Sequence, residues 1–335
     1  MSRLLGLLLA TALTAPASAM SLADHPPLRE LVDRLVQKDG FDRASVERTL
    51  AAASYQQSIV DAISRPAEKM PWHRYRPIFL TQQRVDGGVE FWQQHAQLLA
   101  RAERDYGVPA AVITAIIGVE TRYGAITGRY KALDALATLA VAGLSRSGFF
   151  AGELRELLLL GRDEHLDPLT LNSSYAGALG LPQFIPSSYR AYAIDFDQDG
   201  RRDLLSSPAD AIGSVANYLH RHGWQPGQAI SARATVTPAG AALANGDLLP
   251  RHTLEALRQG GVSVLGDDFE VQPNGPASAT PLNAALIRFD GDAGDEYHLG
   301  FRNFYAITRY NHSALYALAV TQLAAAIDAQ HGATP

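Results

Sequence analysis

The sequence predicts a mainly helical protein of the α+β class, and two observations lead to this prediction. Segments such as LRELVDRLVQ and FDRASVERTLAAA place apolar residues three and four positions apart, as amphipathic helices do. Further along, AISARATV alternates apolar and polar residues, and AALIRF and EYHLGF read as strands bounded by Gly and Pro. A long helical part is therefore followed by a small β-containing part.

Changes in these patterns divide the chain into five segments. They are a signal peptide (1–19), an N-terminal helical domain (20–95), a helical core (96–224), a small β-containing domain (225–300) and a C-terminal segment ending in a helix (301–335). The 335 residues are 47% hydrophobic, which is enough to bury the cores of about two domains.

The first 19 residues predict export. Arg3 precedes an apolar stretch from Leu4 to Leu13, and Ala17-Ser18-Ala19 forms a small-residue cleavage signal. Because the apolar stretch is about half of the ~20 residues that cross a bilayer, we expect cleavage before Met20 and no membrane anchor. The absence of cysteine excludes disulfides, thiol nucleophiles and a lipid-modified N-terminal cysteine. We expect a soluble mature protein.

Charge and motif content exclude several classes of function. The formal net charge is -5 and no cluster of Lys and Arg stands out, so a nucleic-acid partner has no electrostatic support. The histidines, including His220 and His222, do not form an HExxH motif, and we expect them to make local hydrogen bonds. The sequence also lacks GxSxG, a P-loop and a GxGxxG that follows a strand.

Glu120 is the first candidate for chemistry. It ends the stretch VPAAVITAIIGVE, in which Thr114 is the only earlier polar side chain. Burial disfavours the charged form of a carboxyl group and raises its pKa, which suits a general acid near neutral pH. A glutamate at a helix end is more often solvated. The TRYG that begins at Thr121, however, supplies an aromatic ring and a glycine where the chain can turn and open a cleft.

A second motif, SSYAGALGLPQFIPSSY, predicts a rigid loop. Its small residues, together with Pro182 and Pro186, indicate a close-packed turn that presents Ser174 and Gln183 to a ligand. A tight connection between two helices, without any ligand, explains the same composition equally well.

The segment DFDQDGRRD matches the start of a calcium-binding loop. Its oxygen ligands are predicted to come from Asp195, Asp197, Asp199, the carbonyl of Arg201, and Asp203 directly or through water. Position twelve is Ser206 instead of the usual glutamate, and Asp210 is the best substitute. Closely spaced aspartates repel one another unless a cation neutralises them, so we predict a structural calcium ion.

Five motifs in order resemble the lytic murein transglycosylase B family: GVETRYG, SSYAGALGLPQFIPSSY, the calcium-type loop, DAIGSVANYLHRHGW and ITRYNHS. The resemblance extends from about Leu28 to Ile327 and is strongest from Val112 to Trp224. It implies a lysozyme-like helical core flanked by a helical domain and a small β-containing domain. It also implies a long groove for a glycan, completed by the C-terminal segment, and a periplasmic location.

The resemblance further implies roles for single residues, with Glu120 as the single catalytic acid and base. The implied substrate-binding residues are Ser174, Gln183, Tyr218, Tyr310, Asn311 and Tyr316. The implied calcium ligands are Asp195, Asp197, Asp199, the carbonyl of Arg201, and Asp210. The loop has one residue more than the family form, which leaves the assignment of Asp210 open.

These observations predict a lytic transglycosylase of peptidoglycan. It is expected to cleave the β-1,4 bond from N-acetylmuramic acid to N-acetylglucosamine without water and to leave 1,6-anhydro-muramic acid ends. Most glycosidases use two carboxyl groups, whereas the acids in GRDEHLDP predict a solvated turn. A hydrolytic muramidase with a second carboxylate elsewhere, or a non-catalytic peptidoglycan-binding protein, are the alternatives. We expect a monomer that needs no cofactor for its chemistry, with cell-wall synthesis proteins as the suggested partner class.

Overall fold

The computed structural model describes residues 18–65, 69–270 and 282–333. Apart from Ser18 and Ala19, the predicted signal peptide lies outside these residues. The two-residue strands β1 (Ser18–Ala19) and β2 (Ser54–Tyr55) pair antiparallel. A 3-10 turn at Leu22–Asp24 leads into the first helices: α1 (Pro26–Asp39), α2 (Arg43–Ala51), α3 (Gln57–Ile63), α4 (Trp72–Phe79) and α5 (Gln82–Gln94).

The middle of the chain is also helical. Its helices are α6 (Ala96–Tyr106), α7 (Ala110–Thr121), α8 (Ala132–Val141), α9 (Ser147–Asp163), α10 (Pro186–Tyr192) and α11 (Pro208–Arg221). Two short antiparallel strands, β3 (Tyr130–Lys131) and β4 (Asn172–Ser173), join its loops.

Helix α7 lies at the centre of the fold. Every residue from Ala110 to Val119 is buried, because α5, α6, α11 and the last helix of the chain all pack against it. A helix enclosed on all sides has no polar face, which explains why this stretch of sequence is apolar without periodicity.

A five-stranded antiparallel sheet follows, in the order β6-β8-β9-β5-β7. Its strands are β5 (Ser231–Val236), β6 (His252–Thr253), β7 (Val262–Glu270), β8 (Asn283–Gly291) and β9 (Gly294–Gly300), with short helices α12 (Pro238–Ala241) and α13 (Leu254–Gln259) between them. A small core that includes Leu286, Leu299 and Phe301 covers one face. The mainly helical fold with a small β sheet is thus confirmed.

The last two helices return to the centre of the molecule. Helix α14 (Arg302–Tyr310) is followed by α15 (Ala314–Gly332), whose N-cap Ser313 accepts a hydrogen bond from the amide of Tyr316 at 3.3 Å. Helix α15 packs against α4, α5, α7 and α14. One hydrophobic core therefore extends from Met20 to Ile327 across the predicted domain boundaries.

No helix in the described parts of the chain combines the length and the hydropathy that crossing a membrane requires.

Candidate active site

Glu120 lies at the end of the central helix. It is the penultimate residue of α7 and is partly buried, directly after ten buried residues from Ala110 to Val119. The hydroxyl group of Tyr316 in α15 donates a hydrogen bond of 2.6 Å to its Oε1 atom. The apolar helix therefore delivers one carboxyl group to an aromatic, partly desolvated position.

The chain turns sharply after Glu120. Arg122, Tyr123 and Gly124 have φ angles of 50°, 61° and 90°, so three consecutive residues adopt the left-handed conformation. Each non-glycine residue in this conformation costs about 1 to 2 kcal/mol. Thr121 offsets the strain, because its Oγ1 accepts from the amide of Gly124 at 3.0 Å and its carbonyl accepts from the amide of Ile126 at 2.9 Å. Such strain is typical of functional sites.

The turn after Glu120 is tied to the second motif. Thr121 Oγ1 donates to the carbonyl oxygen of Leu181 at 2.9 Å. Gln183, which has a φ of 51°, donates from Nε2 to the carbonyl oxygens of Thr127 at 3.0 Å and Gly180 at 2.9 Å. The bond to Thr127 ties the second motif to the segment after the first motif, and the bond to Gly180 lies within the second motif.

Ser174 shapes its own loop. Its Oγ accepts hydrogen bonds from the amides of Ala176 at 3.3 Å and Ala178 at 3.1 Å. The neighbouring Gly128 has a φ of 116°, and a Cβ atom there would lie 2.2 Å from the carbonyl of Ser173. The loop is therefore closely packed, and the hydroxyl hydrogen of Ser174 is the part that is left to donate to a ligand.

The rings of three tyrosines pack together beside Glu120. The rings of Tyr310 and Tyr316 are parallel at 6.3 Å, and the ring of Tyr218 meets that of Tyr310 edge-on at 4.9 Å. The hydroxyl of Tyr310 donates to the carbonyl of Pro182, and that of Tyr218 to the carbonyl of Arg309, both at 2.5 Å. Tyr218 therefore lies behind Tyr310, and Tyr316 contacts the carboxyl group directly.

The hydroxyl groups next to Glu120 remain protonated at neutral pH. Burial, together with the negative charge of Glu120, raises the pKa of Tyr310 and of Tyr316 well above the ordinary value. Asn311, the C-cap of α14, is partly buried and accepts from the amide of Ser313 at 2.7 Å through its carbonyl.

Sequence reasoning missed three residues around Glu120. Tyr75 in α4 is 1% exposed and adds to the raised pKa of Tyr316. Thr121 lies inside the first motif, but its side-chain contacts with the second motif have no signature in the sequence. Arg84 is a buried cation inside an ordinary amphipathic helix, and its contacts with Gly118 and Val119 depend on how α5 packs against α7.

The predicted calcium loop brings three carboxylates together. Ligand atoms of Asp195, Asp197 and Asp210 all lie within 4.8 Å of one another. Asp210 is 1% exposed, and its two oxygens accept from the amides of Phe196 and Asp203 at 2.7 Å. Burial raises its pKa, and these amide hydrogen bonds oppose that effect. In the described parts of the chain, none of the three carboxylates forms an ion pair with Lys or Arg.

Two other residues of the loop have local hydrogen bonds. Asp199 accepts from the amide of Arg201 at 2.8 Å and is not part of the group within 4.8 Å. Asp203 accepts from the amides of Leu205 at 2.9 Å and Ser206 at 3.0 Å. The all-oxygen donor set of Asp195, Asp197 and Asp210 nevertheless fits a hard cation such as calcium.

The acidic turn GRDEHLDP is separate from this chemistry. Asp163 pairs with Arg190 at 2.9 Å, and Glu164 pairs with Arg202. These carboxylates therefore have structural ion-pair partners, as expected of a surface turn.

Comparison with known proteins gives consistent matches over nearly the whole chain. The family model described as a transglycosylase SLT domain matches residues 23–325. A relative from Escherichia coli (strain K12), called membrane-bound lytic murein transglycosylase B, is 42% identical over 315 residues, which are 91% of this chain and 83% of the relative.

Solved structures agree with this match. The soluble lytic transglycosylase SltB1 from Pseudomonas aeruginosa is 46% identical, with a TM-score of 0.82 over 92% of this chain and 100% of its own. The lytic transglycosylase Slt35 from Escherichia coli, solved in complex with calcium, is 38% identical, with a TM-score of 0.80 over 94% and 97%. SltB3 from Pseudomonas aeruginosa, in complex with NAG-anhNAM-pentapeptide, is 32% identical, with a TM-score of 0.74 over 89% and 78%.

Proposed function

The chain belongs to the family of lytic transglycosylases with an SLT domain, which are peptidoglycan-cleaving enzymes, and we propose that Glu120 is its single catalytic acid and base. The observation that carries this proposal is the position of Glu120. It is a partly buried carboxyl group held by the hydroxyl of Tyr316 at 2.6 Å, next to a strained turn.

In the first step, protonated Glu120 donates its proton to the glycosidic oxygen between N-acetylmuramic acid and N-acetylglucosamine. The bond from C1 of the muramic acid to this oxygen breaks, and N-acetylglucosamine leaves as the alcohol. The carbonyl oxygen of the substrate's own N-acetyl group stabilises C1, as in substrate-assisted glycosidases. Tyr316 stabilises the carboxylate of Glu120 that remains, because a hydroxyl donor favours a charged acceptor.

In the second step, the carboxylate of Glu120 removes the proton from the C6 hydroxyl of the same muramic acid. The oxygen attacks C1 and displaces the N-acetyl oxygen, which closes the 1,6-anhydro ring. Glu120 is again protonated and no water is consumed. One carboxyl group is sufficient for this sequence. In support of a single acid and base over a two-carboxylate muramidase, Asp163 and Glu164 of the turn GRDEHLDP are ion-paired with Arg190 and Arg202.

The substrate is a glycan strand of peptidoglycan. In support, the relative SltB3 was solved with a fragment that contains the anhydro sugar anhNAM. Tyr310 and Asn311, the hydroxyl of Ser174 and the loop held by Gln183 surround the position of the reacting sugar in this proposal. Tyr218 acts behind them by fixing the ring of Tyr310, from which it lies 4.9 Å.

A calcium ion would be held by Asp195, Asp197 and Asp210, with Asp199 and the carbonyl of Arg201 as further candidates. Its chemistry would be structural, since it would neutralise three clustered carboxylates and fix the loop before α11. The calcium complex of the relative Slt35 supports this assignment.

Export and a division into four segments complete the proposed function. The signal-peptide pattern in residues 1–19 supports export to the periplasm. The segments 20–95, 96–224, 225–300 and 301–335 serve as helical domain, catalytic core, β-containing domain and groove-completing segment. The protein acts as a monomer, and proteins of cell-wall synthesis are its candidate partners.

The substitution Glu120→Gln tests the central assignment. It keeps the size and the acceptor oxygen for Tyr316 but removes the titrating proton, so turnover of purified peptidoglycan should fall to background while the melting temperature is retained. Glu153→Gln is a matched control. Glu153 is 5% exposed and accepts from the amide and hydroxyl of Ser187 at 2.9 Å and 2.7 Å, and it lies on α9 instead of α7, which carries Glu120. This control should lose stability and keep its turnover number. Appreciable turnover by Glu120→Gln would refute the assignment.

A further inference from the structure

We propose that Arg84 is a positioning residue for Glu120, acting through the backbone of the last turn of α7. Arg84 belongs to α5 and is 7% exposed. Its Nη1 atom donates to the carbonyl oxygen of Gly118 at 2.5 Å and lies 3.4 Å from that of Val119. These two residues directly precede Glu120, so the inference rests on the role proposed for Glu120 above.

The C-terminal turn of a helix needs such a partner. Its last carbonyl oxygens have no amide within the helix to bind, and they form the negative end of the helix dipole. The carbonyl of Gly118 accepts from the amide of Arg122 at 3.1 Å, in the left-handed turn. The guanidinium of Arg84 adds a charged donor to the same oxygen, and its Nη1 atom also contacts the carbonyl oxygen of Val119. The turn that carries Glu120 is therefore fixed from outside its own helix.

Arg84 also holds the chain on the other side of Glu120. Its backbone carbonyl accepts a hydrogen bond of 2.7 Å from the hydroxyl of Tyr123. The ring of Tyr123 lies against Gly87, Gly88 and Gly118, where an added Cβ would come within 3.0, 2.8 and 2.5 Å of its atoms. The side chain of Arg84 thus fixes the residues before Glu120, and its backbone fixes the strained turn after it.

In the described parts of the chain, the guanidinium of Arg84 forms no ion pair with a carboxylate. Burial, together with the charge of Arg122, lowers the pKa of this guanidinium. The guanidinium of Arg84 is satisfied by carbonyl groups and by the ring of Phe79, 5.2 Å from its Cζ atom, and a buried cation without a carboxylate is a costly way to join two helices. The Nη1 atom of Arg84 binds the carbonyl oxygens of the two residues before Glu120. The costly arrangement therefore serves to position Glu120.

The test compares Arg84→Met and Arg84→Lys with the wild-type enzyme on soluble peptidoglycan fragments. Small displacements of a catalytic group lower the rate by about 10- to 100-fold, and Arg84 is not among the residues proposed to contact the sugar. We therefore expect Arg84→Met to lower kcat at least about ten-fold with KM changed less than about two-fold. Arg84→Lys keeps the charge and one donor, and it should recover part of the lost kcat.

Arg162→Met is the matched control. Arg162 donates to the carbonyl oxygen of Asp39, the last residue of α1, at 2.7 Å, so it also contacts a helix C-terminus, but that of a helix that does not carry Glu120. This variant should keep both kcat and KM, since loss of such a contact alone does not slow the reaction. Loss of kcat in Arg162→Met equal to that in Arg84→Met would contradict a specific role for Arg84.

The outcomes separate this inference from the proposed function. Wild-type kcat in Arg84→Met, or a lysine variant as slow as the methionine variant, would overturn the positioning role. If Arg84→Met does not fold by circular dichroism, Arg84→Lys decides alone: a lower kcat at unchanged KM supports the role, and a wild-type kcat refutes it. Glu120→Gln is measured in parallel. If it is active, the proposed function fails; if it is inactive while Arg84→Met is fully active, only the inference about Arg84 fails.

Discussion

The hydroxyl of Tyr316 and the carboxyl oxygen Oε1 of Glu120 lie 2.6 Å apart, although 196 positions separate the two residues in the chain. The contact exists because α15 packs along α7, whose end carries Glu120. Helix α15 begins at the N-cap Ser313, which places Tyr316 in its first turn. The last helix of the chain therefore completes the site that the central helix begins.

Replacing Tyr316 by phenylalanine should slow catalysis with little change in fold. The ring keeps its volume and its parallel packing on Tyr310, and only the donor to Glu120 is lost. A hydrogen bond to a charged group contributes about 1.5 to 3 kcal/mol, so kcat should fall about 10- to 100-fold. The measurement is the initial rate of fragment release from peptidoglycan.

Tyr189→Phe is the control for this change. Tyr189 is 1% exposed, and its hydroxyl donates to the carbonyl of Arg202 at 2.5 Å and accepts from the amide of Leu204 at 2.9 Å. Its removal should lower the melting temperature and leave kcat unchanged. Equal kcat in Tyr316→Phe and the wild type would show that Tyr316 only packs.

Gly128→Ala should disrupt the loop that presents Ser174. Its φ of 116° is strained for alanine, and the added Cβ would lie 2.2 Å from the backbone of Ser173. Strain and overpacking together should lower the free energy of unfolding by about 2 to 4 kcal/mol and raise KM. Gly143→Ala is the matched control. It has a φ of 67° and no atom within 4 Å of the added Cβ, so it should cost only about 1 to 2 kcal/mol. Similar losses in both variants would contradict the steric explanation.

His298 in β9 should make the fold sensitive to acid. It is 1% exposed, its Nδ1 has no hydrogen-bond partner in the described structure, and burial together with Arg233 lowers its pKa to about 4. Because the unfolded chain binds a proton more readily, stability is fully present above about pH 6.5 and is lost as the pH falls toward 4. The loss attributable to His298 is about 2 to 3 kcal/mol at pH 4.5.

His298→Leu removes this titration. Denaturant unfolding at pH 7 and pH 4.5 should therefore show a smaller acid-induced loss in the variant than in the wild type. An equal loss in both proteins would exclude His298 as the cause.

Calcium should stabilise the protein through the loop before α11. At a hundred-fold excess over Kd, binding to the folded state adds about 2.7 kcal/mol, so Tm should rise with calcium and fall on chelation. Asp197→Asn should abolish most of this shift, since Asp197 belongs to the carboxylate group within 4.8 Å. Asp199→Asn should weaken it less, because Asp199 is not part of that group. A Tm that does not respond to calcium would refute the site.

Much of this site could be predicted because its determinants are local in sequence. An apolar helix ending in Glu120, a rigid loop with Ser174 and Gln183, and alternating aspartates from Asp195 each leave a pattern within about ten residues. The helical fold with a small β sheet was predictable for the same reason, since hydrophobic periodicity is a local property.

The contacts that set the site's geometry could not be predicted in the same way. The approach of Tyr316 to Glu120, of Arg84 to Gly118, and of Thr121 to Leu181 depends on how distant helices and loops pack. The calcium loop shows the same limit within a short segment. Spacing alone made Asp195 and Asp199 equivalent, whereas in the folded loop Asp195 belongs to the group of carboxylates within 4.8 Å and Asp199 does not.

The measurement that tests the central claim most directly is mass spectrometry of the fragments released from purified peptidoglycan in water labelled with heavy oxygen. If Glu120 acts as both acid and base, the products end in 1,6-anhydro-muramic acid. They are then lighter by one water than hydrolytic fragments, carry no heavy oxygen, and are absent with Glu120→Gln. Products with reducing ends that have taken up the label would show that water is the nucleophile and would contradict the single-carboxylate mechanism.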